Sequence, residues 1–266
     1  MQSGLGDTLN MLQMLVANAE ALVSSGYYDM PPTHHQGRRP SFKGALTESP
    51  SFPIIAEVKM ASPGRPSISL HSPGDLIALY SKGGATALSV LTEPNHFHGS
   101  LSLLGAASRT GLPTLMKDIV VSMDQVEAGA RLGAGAVLLI EHLSRLGTTC
   151  LDIDGLIEGA HGLGLEVLLE VSNEEEMIRG LRRDADVIGI NQRNLEDMTV
   201  DSSKGQRMLG EFAAAARSPI IVMSGIEGAK HVAALRDLGA SGALVGTALA
   251  SSLDPAKAVK DLKVGR

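Results

Sequence analysis

Tryptophan is missing from the 266 residues, and aromatic residues of all kinds make up only 3% of them. A face of stacked rings for exposed nucleic-acid bases is therefore poorly supplied. Cationic clusters are also scarce. The formal charge is −6, and no Lys/Arg run exceeds a short surface pair such as Arg182-Arg183, so the electrostatic footprint of a nucleic-acid binder is lacking. The single cysteine, Cys150, excludes an internal disulfide framework and agrees with a reducing, cytoplasmic setting; it reads as a packed thiol. Nowhere do about 18 uncharged apolar residues run together, and the first residues lack a basic start, apolar core and small-residue cleavage site, which argues against spanning a membrane or secretion. Dinucleotide and nucleotide-loop fingerprints do not occur. His96-x-His98 lacks the companions of a metal site, and no His-Glu-x-x-His is found, so no metal is expected.

What is plentiful is glycine, 30 residues, within an ordinary globular balance of 44% apolar and 20% charged residues. The length suits a single domain with a substantial core. From Asp7 to about Ser25, Leu9, Leu12, Val16, Ala19 and Leu22 recur at three- and four-residue steps, predicting an amphipathic helix. Tyr27 to Arg39, with Pro31, Pro32, Gly37 and His34-His35, carries turn chemistry without periodicity and reads as a linker wrapping onto the main body, its histidines on the surface.

Beyond it, short apolar β-type runs alternate with helical patterns. Eight runs can be counted: 53–59, 85–91, 113–117, 136–140, 165–170, 187–190, 219–223 and 243–245. Most are continuous apolar blocks, the signature of parallel strands covered by crossover helices, and eight units without a leftover strand predict a closed (β/α)8 TIM barrel of the α/β class. The whole chain is one domain, with residues 1–45 forming an N-terminal helix and linker that cap the barrel.

Polar residues stand at or just beyond the ends of these runs: Glu57 and Lys59, Ser89, Lys117, Glu141, Glu170, Asn191, Ser224, and Gly246-Thr247. In such a barrel the carboxyl ends of all strands meet on one face, so these residues are expected to converge on a pocket. Lysines and glutamates in apolar runs are costly unless paired or functional. Glu57 and Lys59, two apart on one strand, point to the same side, and could form a structural ion pair. Two lysines and two carboxylates hold the parts for proton transfer, with composition leaving open which group does what. Asn191-Gln192-Arg193-Asn194 offers amide and guanidinium donors for hydroxyls and carboxylates. Ser62, in the turn after the first strand, and the Ser224-Gly225 and Gly246-Thr247 loops after strands seven and eight, suit a phosphate, since backbone amides at those loops form the common phosphate site of this fold.

With these residues in view, the chain resembles indole-3-glycerol-phosphate synthase, the tryptophan-pathway enzyme, from about Ser41 to Asp254. The matching phrases are PIIAEVKMASPG, GATALSVLTEPNHFHGS, LPTLMKDIVV, GAGAVLLI, LEVLLEVSNEEEM, IGINQRNL, and SGI followed by ALVGTAL, while the leading helix and SFKGALTES look like the family's N-terminal segment. The resemblance implies a carboxy-lyase that closes an indole ring on 1-(2-carboxyphenylamino)-1-deoxyribulose 5-phosphate with loss of carbon dioxide and water, needing no cofactor. It implies Lys117 as general acid at the carbonyl, Lys59 holding the carboxylate and assisting dehydration, and Glu170 as general base. Glu57 and Asn191 would position the lysines and the substrate hydroxyls. Phe97 would contact the anthranilate ring, Arg193 matches a site residue, Ser62, Gly225, Gly246 and Thr247 match the phosphate-cradling positions, and Ser224 beside them is expected to bind substrate. A cytoplasmic monomer or weak homodimer is expected, whose partner is the small phosphorylated carboxylate and not nucleic acid or membrane. Two positions depart from the family pattern: Met223 stands where Glu-Ser-Gly-Ile has its glutamate, and Ile119 where Lys-Asp-Phe has its ring. The alternatives are a diverged paralogue that binds a phosphorylated metabolite, and another phosphate-binding barrel enzyme of the pathway, such as a phosphoribosylanthranilate isomerase or a tryptophan-synthase alpha-like lyase.

Overall fold

The computed structural model describes residues 10–29, 39–63, 65–145, 151–194, 198–263 and 265. His34, His35 and Cys150 lie outside them, as do residues 7–9 of the expected first helix.

Two helices precede the repeat, α1 (Met11–Ser24) and α2 (Phe42–Glu48). Asn10 and Gln13 form a reciprocal capping box that starts α1. Then strands and helices alternate: β1 (Ile54–Val58), α3 (Pro73–Gly83), β2 (Ala87–Leu91), α4 (Leu101–Ser108), β3 (Thr114–Lys117), α5 (Met123–Arg131), β4 (Ala136–Ile140), α6 (Ile153–Gly162), β5 (Glu166–Val171), α7 (Glu174–Gly180), β6 (Val187–Asn191), α8 (Lys204–Phe212), β7 (Ile220–Met223), α9 (Ala229–Asp237), β8 (Gly242–Val245), α10 (Thr247–Ala250) and α11 (Pro255–Leu262). Serine hydroxyls start three of the crossover helices, Ser72 at α3, Ser100 at α4 and Ser122 at α5, each accepting a hydrogen bond from a first-turn amide.

The strands form a closed parallel barrel in sequence order, β8 returning to β1 through Ile54↔Ala243 and Ile55↔Leu244. Alternation along each strand divides the core in two. Ile54, Ala56, Val58, Leu88, Val90, Met116, Val137 and Leu139 face outward into the helical ring. Ile55, Ala87, Leu115, Leu138, Ile140, Leu168, Val187, Ile221, Met223 and Leu244 fill the interior.

The N-terminal segment covers both ends of that interior. Phe42 and Leu46 of α2, both fully buried, join the interior cluster. Glu166, which opens β5, accepts from Ser41 Oγ at 2.5 Å and from the amide of Lys43 at 2.7 Å, so α2 plugs the amino end. Leu12, Leu15, Val16 and Ala19 of α1 belong to the same cluster, and Leu15 reaches the cavity at the carboxyl end. After α1, Tyr28 is only 2% exposed and donates to Asp118 at 2.9 Å, so the start of the following segment packs onto the barrel.

Candidate active site

A cavity of about 340 Å³ opens at the carboxyl ends of the strands. Its wall contains Glu57, Lys59, Ser62, Phe97, Lys117, Glu170, Asn191, Arg193, Ser224, Gly225, Gly246 and Thr247, while Gln192 and Asn194 of the expected donor stretch lie outside it. Two strand-end residues are absent from it. Ser89, beside Glu57 in the β1–β2 register, is sealed in the interior. Glu141 begins the 3₁₀ turn after β4, fully buried, and is held by Arg179 at 2.9 Å and Arg183 at 2.6 Å. It serves packing between that turn and α7, because a buried carboxylate needs local cations and hydrogen bonds.

At the floor, one carboxylate joins two ammonium groups: Glu57 Oε1 lies 3.2 Å from Lys59 Nζ and Oε2 lies 3.5 Å from Lys117 Nζ. Burial pushes the Glu57 carboxyl up, but Lys59 and Lys117 pull it below the usual range, so it remains ionised. The two lysines diverge. Burial draws Lys59 below its ordinary value, more than Glu57 restores, and Lys117 adds like-charge repulsion. Burial also opposes the charge on Lys117, yet Glu57 and Glu170 outweigh it and hold this ammonium above the ordinary lysine value.

Across the cavity, burial lifts Glu170 above the usual carboxylate range against the opposing pull of Lys117 and of Asn191. Asn191 is fixed from both sides: its Nδ2 donates to Glu170 Oε1 at 2.7 Å and its Oδ1 accepts from the amide of Arg193 at 2.9 Å. Arg193 Nη1 donates to the carbonyl of Met198 at 2.7 Å, which sets the guanidinium at the wall. Met223 and Ile119, the two departures, both line the cavity, so an apolar thioether and an aliphatic chain stand where a carboxylate and a ring were expected.

The loops after β7 and β8 complete the cavity wall. Ser224 and Gly225 both have φ of 67°, the left-handed region, and a Cβ on Gly225 would meet Val200 at 2.6 Å. The carbonyl of Ser224 accepts from Gln192 Nε2 at 2.6 Å, and Gln192 Oε1 accepts from the amide of Gly205, so this side chain props the loop. Gly246-Thr247 leads into α10, a four-residue helix after β8, as in the phosphate sites of such barrels.

Leu15, Arg65 and Glu227 also line the cavity and carry no signal singled out in the sequence, whereas Gln192, expected there as a donor to substrate, props the Ser224 loop instead. Arg65 stands three residues after Ser62 and is tied to it by two backbone hydrogen bonds of 3.0 and 2.8 Å, a turn that would have extended the candidate list. Leu15 had no local signal, since only tertiary placement brings α1 to the cavity. Among the described residues no group of three or more His, Cys, Asp or Glu could hold a metal ion, and no helix is long and apolar enough to cross a membrane.

Comparison with known proteins agrees. The family model for indole-3-glycerol phosphate synthase matches residues 13–262. The indole-3-glycerol phosphate synthase of Rhodococcus jostii is 40% identical over 225 residues, covering 82% of this chain and 79% of the relative. That of Campylobacter jejuni is 39% identical over 212 residues, covering 79% and 80%. Among solved structures, the N-acetylmannosamine-6-phosphate 2-epimerase of Clostridium perfringens superposes with a TM-score of 0.61 at 18% identity, covering 82% of this chain and 93% of that one, which is a likeness of fold alone. On the barrel, the strand-end constellation and these relatives together, the chain belongs to the indole-3-glycerol phosphate synthase family.

Proposed function

We propose that this protein is a carboxy-lyase that converts 1-(2-carboxyphenylamino)-1-deoxyribulose 5-phosphate to indole-3-glycerol phosphate, releasing carbon dioxide and water. The observation that carries this reading is the pair of ammonium groups joined by Glu57, facing Glu170 across one cavity. The phosphate binds at Ser62, Ser224-Gly225 and Gly246-Thr247, where backbone amides and α10 favour an anion. The ring lies against Phe97, with Leu15, Ile119 and Leu138 completing an apolar wall.

Lys117, held fully charged, donates a proton to the ketone oxygen as the ring carbon bearing the carboxylate attacks the carbonyl carbon. Lys59 holds that carboxylate until the bond to carbon dioxide breaks and the ring regains aromaticity. Glu170 takes the proton lost as the new carbon–carbon double bond forms, while Lys59, the more acidic ammonium, protonates the departing hydroxyl. Asn191 keeps the Glu170 carboxylate aimed, and Arg193 offers a second cation for substrate oxygens. General acid–base steps of this kind contribute about 10²–10⁴-fold each.

The test follows indole fluorescence with the arylamino sugar phosphate. The wild-type protein turns it over, and Lys117→Met loses at least about 10²-fold in kcat while still binding substrate; near-normal turnover of that variant would refute the acid role. Met223 favours a second reading, a protein that binds the phosphorylated compound without converting it. Binding in calorimetry without any fluorescence signal at high protein concentration selects that reading instead.

A further inference from the structure

Behind the wall that carries Phe97 sits a carboxylate with no part in the chemistry. Glu93, two residues past β2, is 1% exposed. Its Oε1 accepts from the amide of Asn95 at 2.6 Å and from Asn18 Nδ2 at 2.9 Å; its Oε2 accepts from the amides of His96 at 2.8 Å and Phe97 at 3.0 Å. The imidazole Nδ1 of His96 stands 3.6 Å from Oε1. Three consecutive backbone amides thus converge on one side chain, and the Glu93 carbonyl closes the turn by accepting from the amide of Gly99 at 2.9 Å. The turn admits little variation: His98 is left-handed at φ 52°, and a Cβ on Gly99 would lie 2.1 Å from the carbonyl oxygen of Leu91.

Each of the four hydrogen-bonding groups around the carboxylate is a donor. Only an acceptor with about four lone-pair directions satisfies them all, and charge-assisted bonds of this kind are roughly twice as strong as neutral ones. The same carboxylate is anchored to α1, because Asn18 donates to it and accepts from Asn95 Nδ2 at 2.7 Å. Phe97, whose amide is the last of the series, presents its ring to the cavity.

We propose that Glu93 is a positioning residue for substrate-ring recognition: by gathering the amides of residues 95–97 it fixes Phe97 at the cavity wall, and through Asn18 it makes α1 part of that wall. The proposal rests on reading Phe97 as the contact to the substrate's ring, and it concerns binding and not the proton transfers.

The probe is therefore an analogue of the arylamino sugar phosphate with its ketone reduced to an alcohol, which cannot cyclise, beside inorganic phosphate as a ligand without a ring. Both are measured by calorimetry on the full chain. Glu93→Gln keeps the shape but replaces one acceptor oxygen by an amide NH2, a donor facing donors. It should weaken the analogue about tenfold and leave phosphate affinity within about twofold. Phe97→Leu should do the same, and the double variant should be no weaker than either single one by more than about twofold, since the two changes remove one contact. An unchanged analogue affinity in Glu93→Gln or Phe97→Leu, an equal loss for phosphate, or additive losses in the double variant would overturn the proposal. If Glu93→Gln does not fold, Asn18→Ala decides: removing one of the four donors should weaken the analogue about two- to threefold with phosphate unaffected, and no change sinks the idea. Because binding is read apart from turnover, a wild-type protein that forms no indole defeats the proposed activity and leaves this test standing.

Discussion

Gly246 shows how closely the proposed phosphate site and the proposed proton-transfer site are packed. An ideal Cβ at this position would lie 2.3 Å from Glu57 Oε1, the oxygen that holds Lys59. A side chain here therefore displaces the carboxylate that organises both lysines before it reaches any phosphate. Gly246→Asp is expected to raise KM sharply, since it adds negative charge beside the anion, but Gly246→Ala should already lower kcat by about tenfold or more, because misplacing a catalytic group by an ångström costs up to about 10²-fold. Steady-state kinetics on both variants checks this; an alanine variant with unchanged kcat would mean that Glu57 yields freely. In the proposed mechanism Glu170 and Lys59 also set the pH dependence. Glu170 must be ionised to act, and burial raises it above the ordinary 4.5, so the acid limb of kcat/KM should fall above that value. Lys59 must be protonated, and burial lowers it below 10.5, so the alkaline limb should fall below that value. An acid limb at or below pH 4.5 would remove Glu170 from the role of base.

At the scale of elements, the barrel was legible because its strands are unbroken apolar runs. Residues 136–140 and 187–190 carry no polar residue at all, as a parallel strand covered on both faces requires, and their place between helical patterns favours that reading. Boundaries moved by a residue or two where polarity and pairing disagree: β5 begins at Glu166, which the α2 cap recruits, and extends to Val171, while β2 begins at Ala87 and not Ala85. The site was legible for a related reason, since charged residues inside apolar runs have few places to go except a shared mouth. Glu141 marks where that logic failed. Its cations, Arg179 and Arg183, lie about forty residues downstream, on and just after α7, and a strand-end glutamate looks the same from sequence whether it turns into the barrel or onto a neighbouring helix. The two-ended role of the N-terminal segment was hidden likewise, because Phe42 in α2 and Leu15 in α1 are both apolar residues on short helical faces, and only the closed barrel determines which end each one meets.

For the molecule as a whole, the join between the N-terminal segment and the barrel passes through a buried acid. Asp118 is 3% exposed and accepts from Tyr28 at 2.9 Å, from the hydroxyl of Thr92 at 2.5 Å and from the amide of Ile119 at 2.8 Å. Burial raises its carboxyl from 3.8 to about 6 despite these donors, with the charge of Glu93 adding to the rise. A folded-state value above the unfolded one means that the folded protein binds the proton more tightly. The contribution of Asp118 to stability is therefore complete below pH 3.8 and is lost as pH rises through about 6. At about 1.4 kcal/mol per pH unit the loss is on the order of 3 kcal/mol, a sizeable share of the stability of an ordinary domain. Asp118→Asn removes the titration, so its unfolding free energy, subtracted from that of the wild type, should show the wild type losing ground between pH 4 and 6.5 and holding level above. Chemical denaturation across that interval measures the difference, and a difference that does not change with pH would show that Asp118 is ionised throughout and that its three donors outweigh its burial.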